Sequence, residues 1–331
     1  MSGRAGAALE DAGPLGPTHL AVVINADDPL SEAIGTLYQR SRGIPAAHLI
    51  RVRFPPGSAS LDPERFQALR REILVRTPER VELYALAWAA PWLVGCQSIT
   101  SALSFGVRLP PCPDSCRTTP LNPYFARGDV RRPWQQLRLR PSMLLAATSL
   151  EQADSLFRRS GRADGSAPPG TAYLMSTSDG ARNVRARRFK ATAASLAPGF
   201  NVRILQGDTL RHARDVMAYF TGLARVEGIS SNRFRPGAVA DHLTSFGGRL
   251  TEQGGQTSAL RWLEAGASGS YGTVVEPCAF AEKFPDPALL LGYYVRGDTL
   301  IESYWRSVAM PAQGVFIGDP LTRPWPARRP D

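Results

Sequence analysis

Asp241-His242-Leu243-Thr244-Ser245-Phe246-Gly247-Gly248 closes an apolar run that begins at Gly237, and the arrangement recurs twice downstream. Gly272-Thr273-Val274-Val275-Glu276-Pro277-Cys278 ends a second run, and Phe316-Ile317-Gly318-Asp319-Pro320 ends a third, with helical segments between them. In an open α/β sheet the side chains at the carboxyl ends of parallel strands line the ligand crevice, so these stops are the first places to look for chemistry. Strands alternating with helices imply parallel pairing, right-handed crossovers and helices on both faces.

Working outward, strands are expected at 171–176, 201–205, 215–220, 237–240, 269–275 and 314–317. Helices are expected at 185–196, near 209–214, at 256–265, and across 287–308 with a break near Gly297-Asp298. Gly161–Gly170, rich in Gly, Ser and Pro, is the natural junction, separating an amino-terminal α/β half (18–162) from a carboxyl-terminal one (163–326). In the first half, His19–Ile24 reads as a buried strand, and Asn25-Ala26-Asp27-Asp28-Pro29 turns into a helix ending at Arg42. Asp27 or Asp28 caps that helix, with Pro29 in its first turn. A strand near 50–54, a helix over 63–76, a strand over 81–87 running into Trp88, a short apolar run at 142–147 and a helix over 149–159 complete this half. Residues 106–134 form a proline-rich segment longer than the ~12–15 residues usual for a structureless loop, which reads as a covering loop or lid. Residues 1–17 read as a disordered leader and 327–331 as a tail.

With 331 residues and 43% hydrophobic content the chain can bury a large core, which excludes fibrous and disordered classes. The net charge of +10 suggests nucleic acid, but Lys190 and Lys283 are the only lysines and the arginines are scattered from Arg4 to Arg329. The densest group, Arg182–Arg188, opens an amphipathic helix, so no nucleic-acid partner is expected. No apolar run reaches the ~20 residues of a membrane span, and the amino terminus has no signal-peptide core. The chain as written reads as cytoplasmic, with export open if its start codon is mis-assigned. Cys112 and Cys116 suit free thiols, a tight disulfide or half a metal site, and a reducing cytosol favours thiols. No cofactor is implied.

The six strands of the second half, with the Gly266-Ala267 opening of one strand, the Gly297-Asp298-Thr299-Leu300 helix start and the Gly318-Asp319-Pro320 close, resemble the caspase-like cysteine peptidases, gingipains in particular. Ala147–Ala153 followed by Tyr173–Asp179 is similar to the gingipain segment that joins its two halves. The resemblance implies a His-Gly at the third strand end and a Cys at the fourth. This chain has Thr221-Gly222 and Asp241-His242 there, so neither member of the dyad is retained. As a whole the chain is also similar to a bacterial family of conserved hypothetical proteins, on Asn25–Pro29, Ala87–Pro91, Cys96–Ser101, Arg182–Arg185, Pro236–Gly248 and Gly269–Cys278. That similarity implies no particular activity.

His242 is the leading catalytic candidate because imidazole titrates near neutrality and here sits beside Asp241, Thr244 and Ser245. Asp241 cannot easily orient it, since adjacent strand residues face opposite ways. Glu276, expected to be desolvated behind Val274-Val275, is a candidate acid or base; Cys278 or Ser245 is the candidate nucleophile. Asn25, Asp27, Asp28, Trp88, Asp179, Thr221, Gly222 and Thr244 are the candidate binding residues. Three functions follow: a peptidase-like hydrolase with a pocket around His242 joined by Asn25 and Asp27, a pseudoenzyme that binds a peptide or protein, and a phosphoester hydrolase holding a divalent cation on Asp27, Asp28 and Asp179.

Overall fold

The computed structural model describes residues 13–108, 116–197, 199–252 and 255–327. Ten strands form one sheet: β1 (Leu20–Asn25), β2 (Leu49–Val52), β4 (Leu83–Leu86), β7 (Ser142–Leu144), β8 (Thr171–Ser176), β9 (Asn201–Gln206), β10 (Val216–Thr221), β11 (Phe234–His242), β12 (Gly269–Thr273) and β13 (Gly314–Gly318). Their spatial order is β2-β1-β4-β7-β13-β12-β11-β10-β8-β9. Three two-residue strands, β3 (Ser60–Leu61), β5 (Leu93–Val94) and β6 (Gln97–Ser98), make a separate small sheet. Neighbouring pairs in the large sheet are parallel except β12 and β13, so the expected α/β class and mainly parallel pairing hold. The two groups of strands meet at one residue pair, Ile317 beside Leu144, and a single apolar cluster runs through both.

The helices are α1 (Pro29–Arg42), α2 (Pro63–Arg76), α3 (Ile99–Phe105), α4 (Pro133–Leu137), α5 (Leu150–Ala163), α6 (Phe189–Leu196), α7 (Leu260–Glu264), α8 (Pro287–Tyr294) and α9 (Leu300–Ser307). Capping sets several starts: Asp28, Asp62, Ser98, Ser149, Asp286 and Thr299 each accept an N–H from the first turn of the helix they precede. α1 packs on α5, which lies against β11, while α6 and α9 pack on α8 and α3 lies over β7 and β13. Among the described residues no helix is long and apolar enough to cross a membrane.

Three expectations need correction. No helix forms at 209–214: His212 adopts a positive φ of 60°, and Asn232 donates to the Leu210 carbonyl, pinning an irregular connection instead. The leader is not loose up to residue 17, because Leu15 is buried and Arg323 donates to its carbonyl; residues 1–12 lie outside the described residues. The 106–134 segment is a fixed strap rather than a lid wherever it is described. Tyr124 and Val130 are fully buried, Asn122 donates to the Trp305 and Val308 carbonyls at 2.7 and 3.1 Å, and α4 closes the segment.

Candidate functional site at the strand-end rim

β10, β11 and β12 are consecutive and parallel, so their carboxyl ends share one rim. Thr221 pairs with His242 in register, and Thr273 at the end of β12 donates its hydroxyl to the Thr244 and Ser245 carbonyls at 2.7 and 2.9 Å. Thr221, Asp241, His242, Thr244 and Ser245 therefore stand together, as the sequence suggests. Close backbone contact packs the rim: a Cβ on Gly272 would sit 2.4 Å from the Gly247–Gly248 peptide, and one on Gly222 would sit 2.0 Å from the Arg182 carbonyl oxygen.

Asp241 and His242 point to opposite faces of β11, as strand alternation requires. On one face Asp241, wholly buried, meets the equally buried Arg185 at 2.6 Å; Arg185 also donates to the Thr221 and Pro285 carbonyls. Burial pushes the Asp241 carboxyl up, and Arg185 opposes that rise. On the other face the Trp262 indole N–H donates to His242 Nδ1 at 3.0 Å, and His242 Nε2 lies 2.8 Å from the Thr257 carbonyl. Indole nitrogen only donates and a carbonyl only accepts, so the ring is the neutral Nε2–H tautomer with both nitrogens engaged. Burial, and secondarily the Arg185 charge, holds its pKa down at about 4.

This geometry removes His242 as general acid or base. The ring is fully buried, has no free nitrogen and stays neutral at physiological pH, so Ser245 gains no base from it. Cys278 is corrected as well: it is bonded to Cys116, 162 residues away, and a disulfide sulfur is no thiolate nucleophile. Cys96 is also disulfide-bonded. Of the alternatives open for Cys112 and Cys116, the favoured free thiol fails at Cys116, as do their mutual disulfide and a metal half-site, while Cys112 lies outside the described residues. Glu276 is not desolvated behind a strand, because β12 stops at Thr273; it is half-buried and accepts the Cys278 N–H at 2.8 Å.

The amino-terminal candidates stand elsewhere. β1 lies five strand spacings from β11, roughly 24 Å at ~4.8 Å each, so Asn25 and Asp27 cannot join a pocket at His242. Asn25 bridges to Phe54 through its N–H and carbonyl, Asp27 pairs with Arg53 at the surface, and Asp28 caps α1. Trp88 is buried and donates to the Pro91 carbonyl. Asp179 follows β8, seven spacings from β1 or roughly 34 Å, and pairs with Arg182, so Asp27, Asp28 and Asp179 cannot share a cation. Among the described residues no cluster of three His, Cys, Asp or Glu side chains could hold a metal ion. Thr244 donates to Gln256 and accepts from Arg182.

No protein-family profile and no curated protein matches the sequence. One solved structure, titled "Structure of Protease", is similar at 10% identity with a TM-score of 0.47, over 96% of this chain and 81% of that one. What the rim can do is read from its own side chains.

Arg185, Trp262 and Thr257 organise the rim, and none of them stands out in the sequence. One signal was present: a carboxylate ending a buried strand needs a cation, and the Arg182-Asn183-Val184-Arg185 string supplies one. The arginines of 182–188 are accordingly not one solvated face, since Arg185 is buried while Arg187 and Arg188 are exposed. Beside the rim, Val226, Ile229, Ser230, Leu250, Gln256 and Arg261 line an open groove of about 960 Å³ with Thr257, the acceptor of His242, on its wall.

Proposed function

We propose that this protein is a non-catalytic α/β scaffold that binds an extended polypeptide segment in the groove beside its strand-end rim. The observation that carries this reading is the closed state of the rim: His242 has both nitrogens bonded to protein, Asp241 is paired with Arg185, and Cys278 is held in a disulfide. The groove supports a polypeptide because it sets buried apolar side chains, Val226, Ile229 and Leu250, beside exposed polar ones, Ser230 and Arg261. Successive side chains of an extended segment point alternately to two sides, and such a wall offers each side a matching surface. We also infer an oxidising compartment, because disulfides such as Cys116–Cys278 persist there and not in the cytosol.

The test has two arms. Serine- and thiol-directed electrophiles, applied without reductant, should leave the wild type and His242→Ala equally unlabelled. Labelling of Ser245 that disappears in His242→Ala would overturn the reading. In the second arm, a library of synthetic extended peptides should yield binders whose capture is lost in Ser230→Trp, which fills the groove; undiminished capture by that variant rejects the groove.

A second reading draws on Cys278 and Ala279, which both adopt positive φ, 57° and 50°, next to Glu276. Left-handed backbone at two successive non-glycine residues is costly and tends to mark functional segments. Reduction by a dithiol would then release Cys278 as a thiol and confer hydrolysis. Labelling of Cys278 after reduction without turnover of any peptide substrate rejects this second reading.

A further inference from the structure

We propose that the arginine-lined pocket at the junction of α8 and α9 binds a small ligand through an oxyanion group, a phosphate or a carboxylate. This pocket is unconnected with the rim. Leu300, the first residue of α9, packs on Gly269, the first residue of β12, so the pocket lies at the edge where β12 begins and the rim lies where it ends. Its volume of about 370 Å³ is within the range of small-molecule sites.

The charge balance of the wall points to the ligand. Among the described residues Arg131, Arg296, Arg306 and Arg323 line the pocket with two carboxylates, Asp298 and Glu302. Both carboxylates are already engaged: Asp298 pairs with Arg306, and Glu302 accepts the Thr299 N–H and hydroxyl that start α9. Arg306, almost fully buried, also donates to the Val130 carbonyl, yet its Nε has no acceptor. The Arg323 Nε is likewise buried without an acceptor. Arg131 and Arg296 are exposed and form no ion pair among the described residues; the Arg296 guanidinium stacks on Tyr293 at 4.7 Å, with Arg306 at 5.0 Å from the same ring. Arg306 and Arg323 are held by Asp298 and Glu302, and a wall that adds two arginines without an ion pair and two buried donors lacking acceptors is complementary to an anion. The guanidinium fork matches the paired oxygens of phosphate and carboxylate alike.

Calorimetric titration of the full chain at low ionic strength with inorganic phosphate, pyrophosphate and succinate tests this and separates the two ligand chemistries. We expect saturable one-to-one binding of at least one probe with Kd below ~1 mM. Arg131→Ala with Arg296→Ala should weaken it by about tenfold or more, whereas Arg211→Ala, a surface arginine paired with Glu227, should leave it unchanged. Both pocket arginines are exposed, so the double variant should melt like the wild type. Absence of saturable binding for all three probes, or an equal loss in Arg211→Ala, overturns the proposal, the latter by tracing the binding to general basicity.

Discussion

The carboxyl ends of β1 and β11 carry similar short polar strings, Asn25-Ala26-Asp27-Asp28 and Asp241-His242, and the molecule treats them in opposite ways. β1 is one strand from the sheet edge; its acids sit at or near the surface, where one holds Arg53 and the other caps α1. β11 stands well inside the sheet, covered on both faces, and its two polar side chains have no exposed surface. A polar group costs little at the surface and a great deal in the interior unless the protein itself satisfies it. Position within the sheet, more than residue type, decides whether a strand-end acid is a spare reactive group or a structural one. The expected size of each substitution below follows that depth.

The largest effect is expected where the inner rim is strapped. The Cys116–Cys278 bond closes a span of 162 residues, and loop-closure entropy for such a span is at most about 5 kcal/mol. Replacing both cysteines with serine should lower unfolding stability in urea by up to that amount, with at least as large a loss in wild type treated with a dithiol, which also reduces the disulfide of Cys96. A double variant as stable as the oxidised wild type would show that the strap contributes nothing to the rim.

Next is the ion pair. Arg185→Met leaves Asp241 buried and uncompensated, at a cost of roughly 3–5 kcal/mol. Adding Asp241→Leu should restore much of the loss, because an apolar pair of similar size needs no desolvation. If the two single changes add without recovery, the residues are not coupled and the buried pair is not what holds this face.

His242 should shape the pH dependence. Its folded pKa of about 4 lies below the ordinary imidazole value of 6.5, so the unfolded chain binds the proton more readily. The stability from keeping the ring neutral is thus complete above pH 6.5 and declines as pH falls towards 4. At ~1.4 kcal/mol per pH unit the loss is about 3 kcal/mol. His242→Gln should flatten the stability profile between those pH values. A slope unchanged by that substitution would mean that another group titrates there.

Much of the frame was legible in the sequence because its signals are local. β8 is bounded by Gly170 and the Thr177-Ser178-Asp179 string, α2 starts where Asp62 and Pro63 supply a cap and a first turn, and the α8–α9 break falls at Gly297. The rim residues were also found, since strand ends show as polar stops. Their partners were not. Arg185 and Asp241 are 56 positions apart, Cys116 and Cys278 are 162 apart, and spacing alone does not fix disulfide connectivity. Nor does a polar stop tell how deep its strand lies: β1, one strand from the sheet edge, and β11, well inside it, both end in polar residues. That missing dimension, depth, turned a candidate base into a locked ring.

The smallest effects are expected at the carboxyl end of β1, and they complete the contrast. Asp28→Ala removes the cap on the Leu30 N–H and should cost about 1 kcal/mol. Asp27→Asn breaks an exposed pair with Arg53, for which less than about 1 kcal/mol is expected, diminishing further as salt is added. Both can be read by thermal melts at two ionic strengths. If Asp27→Asn instead destabilised the protein as much as Arg185→Met, depth would not be the governing variable, and the outer acids would have to be doing more than capping a helix and holding a surface arginine.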